Sequence, residues 1–142
     1  MNIFLDTSSL FKLYHREKGT VELENLFSIH RIEGIYLAEI AKIEFASVVS
    51  KKARMKEMDI EKARFLLSSF ETDQPKFSFI PDSDSIKNTA VSLISTYWMA
   101  GLRTLDSIQL ASVLEVKEKV GLFHTSDLVL KELAKKEGLS VG

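Results

Sequence analysis

There is no cysteine in this chain, which excludes disulfides, thiolate metal centres and cysteine nucleophiles. No apolar run approaches the length needed to span a bilayer, so a membrane role is not expected. The start, Met1-Asn2-Ile3-Phe4-Leu5-Asp6, lacks both the basic region and the apolar stretch of a secretion signal. A cytoplasmic protein is the expectation. An excess of one charge is missing too, since 19 Lys and Arg against 20 Asp and Glu leave a net charge of −1. Proteins that hold nucleic acid electrostatically are usually basic. Any such role must therefore come from local charge or from a bound cation, which reverses the sign of an acidic site. No repeat, low-complexity tract or linker divides the chain, and residues 1–142 are read as one domain.

What is present is an ordinary globular composition, 45% apolar and 27% charged, enough to build a packed core. Apolar runs of strand length alternate with longer helical patterns. Ile3-Phe4-Leu5 reads as a buried strand, and Thr7-Ser8-Ser9 as cap candidates for a helix through Leu10, Leu13 and Tyr14. A short helix is expected from Val21 to Ile29, a strand at Ile35-Tyr36-Leu37, and a helix from about Glu39 to Met58. Asp59 suits the cap of the next helix, whose buried side is Ile60, Ala63, Leu66, Leu67 and Phe70 and which Gln74-Pro75-Lys76 ends. Phe77–Ile80 then reads as a strand, Asp84–Ala100 as a helix stopped by Gly101, and Thr104–Lys119 as another helix. Leu122–Thr125 is the next strand, Leu128–Lys136 a helix and Leu139–Val141 a last strand. Strands separated by crossover helices imply a parallel sheet covered on both faces.

Against this frame four acids, Asp6, Glu44, Asp106 and Asp127, fall at strand ends or on apolar helix faces. Carboxylates are rarely buried unless paired or bound to metal. In open α/β sheets the ligand crevice lies beyond the carboxyl ends of the strands, where Asp6 and Asp127 both sit. Taken singly, either is more simply a helix cap. Glu44 has Ile40, Ala41, Ser47 and Val48 as its helical neighbours, so it needs a partner: either a cation, or a salt bridge to Arg103 or Lys51. Asp106 leads a face shared with Gln109, Leu110 and Val113, and a first-turn aspartate favoured by the helix dipole is the alternative there. If the four converge, they form an all-oxygen site for a hard divalent cation.

The remaining residues suggest structure more than chemistry. His15, His30 and His124 have no metal-ligand spacing, and Lys51-Lys52-Ala53-Arg54-Met55-Lys56 reads as a solvated helix end that could also meet phosphate. Phe65, Phe70, Phe77 and Phe79 are expected in the core, and Trp98 on the surface.

Four blocks in order, Ile3–Leu10 with Lys12-Leu13-Tyr14, the helix carrying Glu44, Gly101–Ala111, and Thr125-Ser126-Asp127, resemble PIN-domain nucleases. The closer likeness is to the VapC-type toxins of toxin–antitoxin pairs. The resemblance spans residues 3 to 141. It implies a three-layer α/β/α sandwich on a mostly parallel five-stranded sheet, Mg²⁺ or Mn²⁺ as cofactor, and endonucleolytic cleavage of RNA. Asp6, Glu44, Asp106 and Asp127 match the family's metal-binding acids. Thr7 or Ser8 and Thr125 match its supporting hydroxyls, and Arg103 stands beside the third acid. A homodimer and a small inhibitory antitoxin are also implied. A haloacid-dehalogenase-type phosphatase would need a second acid where Ser8 stands, and a receiver domain an acidic pair in the first loop. A catalytically silent RNA- or protein-binding module and a structure-specific DNA nuclease are the other readings.

Overall fold

A computed structural model describes all of residues 1–142. Its elements are β1 (Asn2–Leu5), α1 (Thr7–Lys12), α2 (Thr20–Ile29), β2 (Gly34–Ala38), α3 (Ala41–Arg54), α4 (Ile60–Asp73), β3 (Ser78–Ile80), α5 (Asp84–Thr96), α6 (Thr104–Glu115), β4 (Leu122–His124) and α7 (Leu128–Lys136). The four strands are all parallel, in the order β3-β2-β1-β4, with Phe4 opposite both Tyr36 and Phe123. The chain builds outward from β1 through β2 to β3, then crosses back to lay β4 on the other side of β1. The β1–β4 seam is therefore the switch point where such sheets leave a crevice.

Alternation along the strands divides the interior in two. Phe4, Ala38, Ile80 and Phe123 face a core completed by Ile86, Leu93, Leu110, Val113 and Leu130 from α5, α6 and α7. Ile3, Leu5 and Leu37 face the other, completed by Leu10, Phe11, Leu23, Phe45, Leu66 and Phe70 from α1 to α4. The result is the expected α/β/α sandwich. The second core is rich in aromatic contacts: Phe45 lies 4.5 Å from Phe70, 5.3 Å from Tyr14 and 5.8 Å from Phe11, ring centre to ring centre. Such pairs contribute about 0.5–1.5 kcal/mol each beyond their buried area.

Several boundaries differ from the sequence reading. The fifth strand is reduced to one parallel bridge between Val141 and Phe123, because Gly138 turns left-handed (φ 84°) and Leu139 turns into the core. The helix expected from Glu39 to Met58 runs only from Ala41 to Arg54, and Lys56 (φ 60°) breaks it before Asp59 caps α4 through the Lys62 amide at 2.7 Å. The helix expected to reach Ala100 stops at Thr96, followed by a 3-10 turn over Trp98–Ala100. Gly101 then takes φ 73°, a conformation that side chains resist, and aims the chain into α6. That helix ends at Glu115 rather than Lys119. Phe65, expected in the core, is 69% exposed on the outer face of α4, and Trp98 is exposed as expected. No helix is long and apolar enough to cross a membrane.

Candidate active site

Asp6 leaves the end of β1 and is 5% exposed. One carboxylate oxygen accepts from the Ser9 amide at 2.9 Å and the Ser8 hydroxyl at 2.7 Å, while the Thr125 hydroxyl donates to the other. Asp6 therefore caps α1 and also ties that helix to the loop after β4. Asp127 does the corresponding work for α7, accepting from the Leu130 amide at 2.9 Å, and its own amide donates to Thr125 Oγ1 at 3.1 Å. Thr125 is thus the bolt between the two strand ends. Ser8 joins them as well, accepting from the Ser126 amide at 3.3 Å. The capping readings of Asp6 and Asp127 hold, and they hold at the crevice.

Glu44 enters from the first turn of α3. It forms no salt bridge with Arg103 or Lys51. Its Oε1 accepts instead from the Thr7 hydroxyl at 2.9 Å and from Gln109 Nε2 at 2.8 Å, and Gln109 Nε2 also reaches Thr7 Oγ1 at 3.1 Å. This three-cornered ring joins α1, α3 and α6. Asp106, in the first turn of α6, faces Arg103 Nε at 3.6 Å, but the arginine is 81% exposed and the contact is loose.

Two of the four acids feel the charge of the others. The Glu44 carboxyl is pushed above the usual range, first by burial and then by the charges of Asp6 and Asp106, although Gln109 and Thr7 oppose the shift. Asp106 is pushed up by burial, Asp127 and Asp6, with Arg103 the only opposing cation. Mutual repulsion of this kind needs carboxylates within each other's field. Four elements far apart in sequence have brought like charges to one edge of the sheet. As they lie, no three of these side chains form a cluster that would ligate a single ion. Asp6, Glu44 and Asp127 are each held by their own donors, and Asp106 only by the loose Arg103 contact.

A groove of about 660 Å³ opens beside them, lined by Glu44, Asp106, Arg103, Thr104, Leu105, Leu102 and Ile94. Its apolar continuation, about 240 Å³, runs between Ile40, Ile43, Ser47, Val48 and Leu105. A wider depression of about 710 Å³ at the α3–α4 turn, around Arg54, Met58 and Ile60, contains none of the acids. It is an open dip whose lining charges, Arg54, Lys56, Glu57, Asp59 and Glu61, are of both signs.

Under the crevice, Ser9 Oγ lies 2.7 Å from His124 Nδ1 and donates to the His124 carbonyl at 3.0 Å. Burial holds that imidazole below its usual pKa. Lys12, 7% exposed, donates to the Ser8 carbonyl and to Glu17, both at 3.2 Å, and so anchors the loop behind Asp6. Sequence reasoning placed Gln109 on the face of Asp106 but gave it no task. Its one visible signal was a polar side chain inside an apolar stripe, three residues after an acid.

A family model for the PIN domain matches residues 3–136. The chain belongs to the PIN-domain family, as the four sequence blocks implied. Among curated proteins it is similar to Ribonuclease VapC47 of Mycobacterium tuberculosis, 28% identical over 127 residues that cover 88% of this chain and 84% of the relative. Among solved structures it superimposes on FitAcB from Neisseria gonorrhoeae with a TM-score of 0.73 at 17% identity, covering 98% of this chain and 95% of that one. VapC20 of Mycobacterium tuberculosis, described as a sarcin-ricin loop cleaving toxin, gives 0.71 at 10% identity, covering 92% and 94%. VapBC2 from Rickettsia felis, bound to a DNA fragment from its promoter, gives 0.66 at 16%, covering 100% and 98%. At these identities the structural matches establish the fold.

Proposed function

We propose that this protein is a divalent-cation-dependent endoribonuclease, hydrolysing phosphodiester bonds in RNA, and that it is the toxin of a toxin–antitoxin pair. The observation that carries the reading is the gathering of four carboxylates at the switch point of the sheet, two of them, Glu44 and Asp106, pushed up by burial and by their neighbours' charge. Clustering negative charge costs stability, and a scaffold that merely bound an anionic ligand would have no use for it. Two named relatives support the substrate: VapC47 is called a ribonuclease, and VapC20 a toxin cleaving the sarcin-ricin loop. A structure of similar fold from Klebsiella pneumoniae is of a toxin–antitoxin complex, which supports a protein partner. We extend the proposal to a cytoplasmic homodimer of single-domain subunits, residues 1–142. Exposed Ile43, Trp98 and Met99 offer apolar surface for such contacts.

The donor set suits Mg²⁺ or Mn²⁺, since the converging groups are carboxylates and hydroxyls with neither sulfur nor a free imidazole among them. Asp6 and Asp106 would hold the cation directly, with Glu44 and Asp127 completing its shell or orienting water. When bound, the cation supplies Lewis-acid stabilisation of the phosphodiester's developing charge and makes a water acidic enough to attack near neutral pH. Thr7 and Gln109 keep Glu44 in place, and Thr125 and Ser8 do so for Asp6. Arg103, 81% exposed and only loosely paired with Asp106, is placed to hold a phosphate.

The test is cleavage of mixed RNA by the wild type in Mg²⁺, Mn²⁺ or EDTA, beside Asp6→Asn. Cutting is expected with either cation, none in EDTA, and none from a folded Asp6→Asn. RNA left intact by the wild type under every condition would overturn the reading.

A further inference from the structure

Gln109 is 2% exposed, and it is the polar side chain in the crevice whose own hydrogen bonding is left incomplete. Both hydrogens of its Nε2 are used, one toward Glu44 Oε1 at 2.8 Å and one toward Thr7 Oγ1 at 3.1 Å. Its Oε1 is buried and has no donor. Turning the amide over would forfeit the bond to Glu44, because the oxygen would then confront an acceptor-only carboxylate. A buried carbonyl without a donor is destabilising, and an apolar residue of the same length would avoid that cost. The arrangement leaves one acceptor unmet and puts both donors on Glu44 and Thr7. It clamps Glu44.

The clamp is selective within the carboxylate. Oε1 receives both bonds, from α1 through Thr7 and from α6 through Gln109, while Oε2 accepts none. The same helix α6 carries Asp106 one turn earlier, so the clamp also ties the spacing of Glu44 to that of Asp106. We propose that Gln109 is a positioning residue: it fixes Glu44 so that Oε2 alone faces the other acids and is presented to the divalent cation. This rests on the functional reading above and adds to it the residue that sets Glu44's geometry. Groups that orient a ligand from behind typically change metal affinity by about 10- to 100-fold when removed.

The test is calorimetric titration of Mn²⁺ into the full chain, for wild type, Gln109→Met, Glu44→Ala and the double variant, with melting temperatures of each. Methionine keeps the length and removes both donors. Gln109→Met is expected to weaken Mn²⁺ binding about 10- to 100-fold in the wild-type background. In the Glu44→Ala background it is expected to change binding less than about twofold, because its partner is already gone. Its melting temperature without metal reports the lost hydrogen bonds to Glu44 and Thr7, and the positioning role is read from the difference in Mn²⁺ binding between the two backgrounds. Thr7→Val, which removes the other arm of the ring, should weaken binding in the same direction, and it carries the test if Gln109→Met does not fold. Equal effects of Gln109→Met in both backgrounds, or none in either, would overturn the role while leaving the nuclease reading intact. A wild type that neither binds Mn²⁺ nor cuts RNA would overturn both, and is recognisable from the wild-type arm alone.

Discussion

Asp73 and Asp106 are held in opposite ways by one fold. Asp73, at the end of α4, has Lys76 at 3.0 Å and the Tyr14 hydroxyl at 2.9 Å, and these donors hold its carboxyl below the usual range. Asp106 has burial and two further carboxylates against it, and only the loose Arg103 in its favour. Glu132 pairs with Lys135 on the outer face of α7 much as Asp73 pairs with Lys76, and is likewise held low. The surface of the protein gives its acids partners. At the β1–β4 seam, Glu44 and Asp106 instead have other carboxylates acting against them.

The contrast breaks most visibly in activity. Asp106→Asn should lower metal-dependent RNA cleavage by roughly 10²–10³-fold, the scale of removing one preorganised electrostatic group. In EDTA at neutral pH the same variant should melt higher than wild type, since it relieves repulsion. Phe45→Ala is the converse. It opens a cavity among Phe70, Tyr14 and Phe11 and should lower stability by about 3–5 kcal/mol in denaturant unfolding. It leaves the four acids untouched, so any residual activity should keep its cation dependence.

Next in size is the pH dependence. Glu44 and Asp106 have folded-state pKa values raised above their unfolded ones, so the native state holds their protons more tightly. Their contribution to stability is complete below the ordinary carboxylate range and is lost as pH rises through the raised values. Asp73 has the opposite sign, stabilising at neutral pH and losing that contribution as pH falls through its lowered value. The advantage of Asp106→Asn over wild type in EDTA should therefore be greatest at neutral pH and vanish on acidification. An advantage independent of pH would mean that repulsion is not its source. The smallest effect belongs to the paired surface: Lys76→Ala should move the melting temperature by no more than about one degree.

Much of this was legible in the chain itself. Parallel strands announce themselves by short apolar runs, and each observed strand lies on one of them. Asp6 and Asp127 could be placed at strand ends because the caps Asp-Thr-Ser-Ser and Ser-Asp follow those runs directly. Helix ends were read too long at Met58, Ala100 and Lys119, because apolar periodicity continues into turns that Lys56 and Gly101 stop by backbone conformation alone. The fifth strand dwindled to Val141 because strand propensity at Leu139 lost to burial of its side chain. The partner of Glu44 could not be read at all. A salt bridge to Arg103 or Lys51 was the nearest alternative from charge, yet the bonds come from a threonine 37 residues away and a glutamine 65 residues away. Neutral donors carry no charge signal in a sequence, and only the packing of α6 against β2 brings Gln109 within reach.

The central claim is that the four carboxylates are one cation site, and the most direct measurement is the melting temperature with and without saturating Mn²⁺, for wild type beside Asp106→Asn. Binding to the native state alone raises stability by about 2.7 kcal/mol at one hundred times the dissociation constant. The account expects a clear rise for wild type and a much smaller one for the variant. Identical rises, or none in wild type, would contradict it.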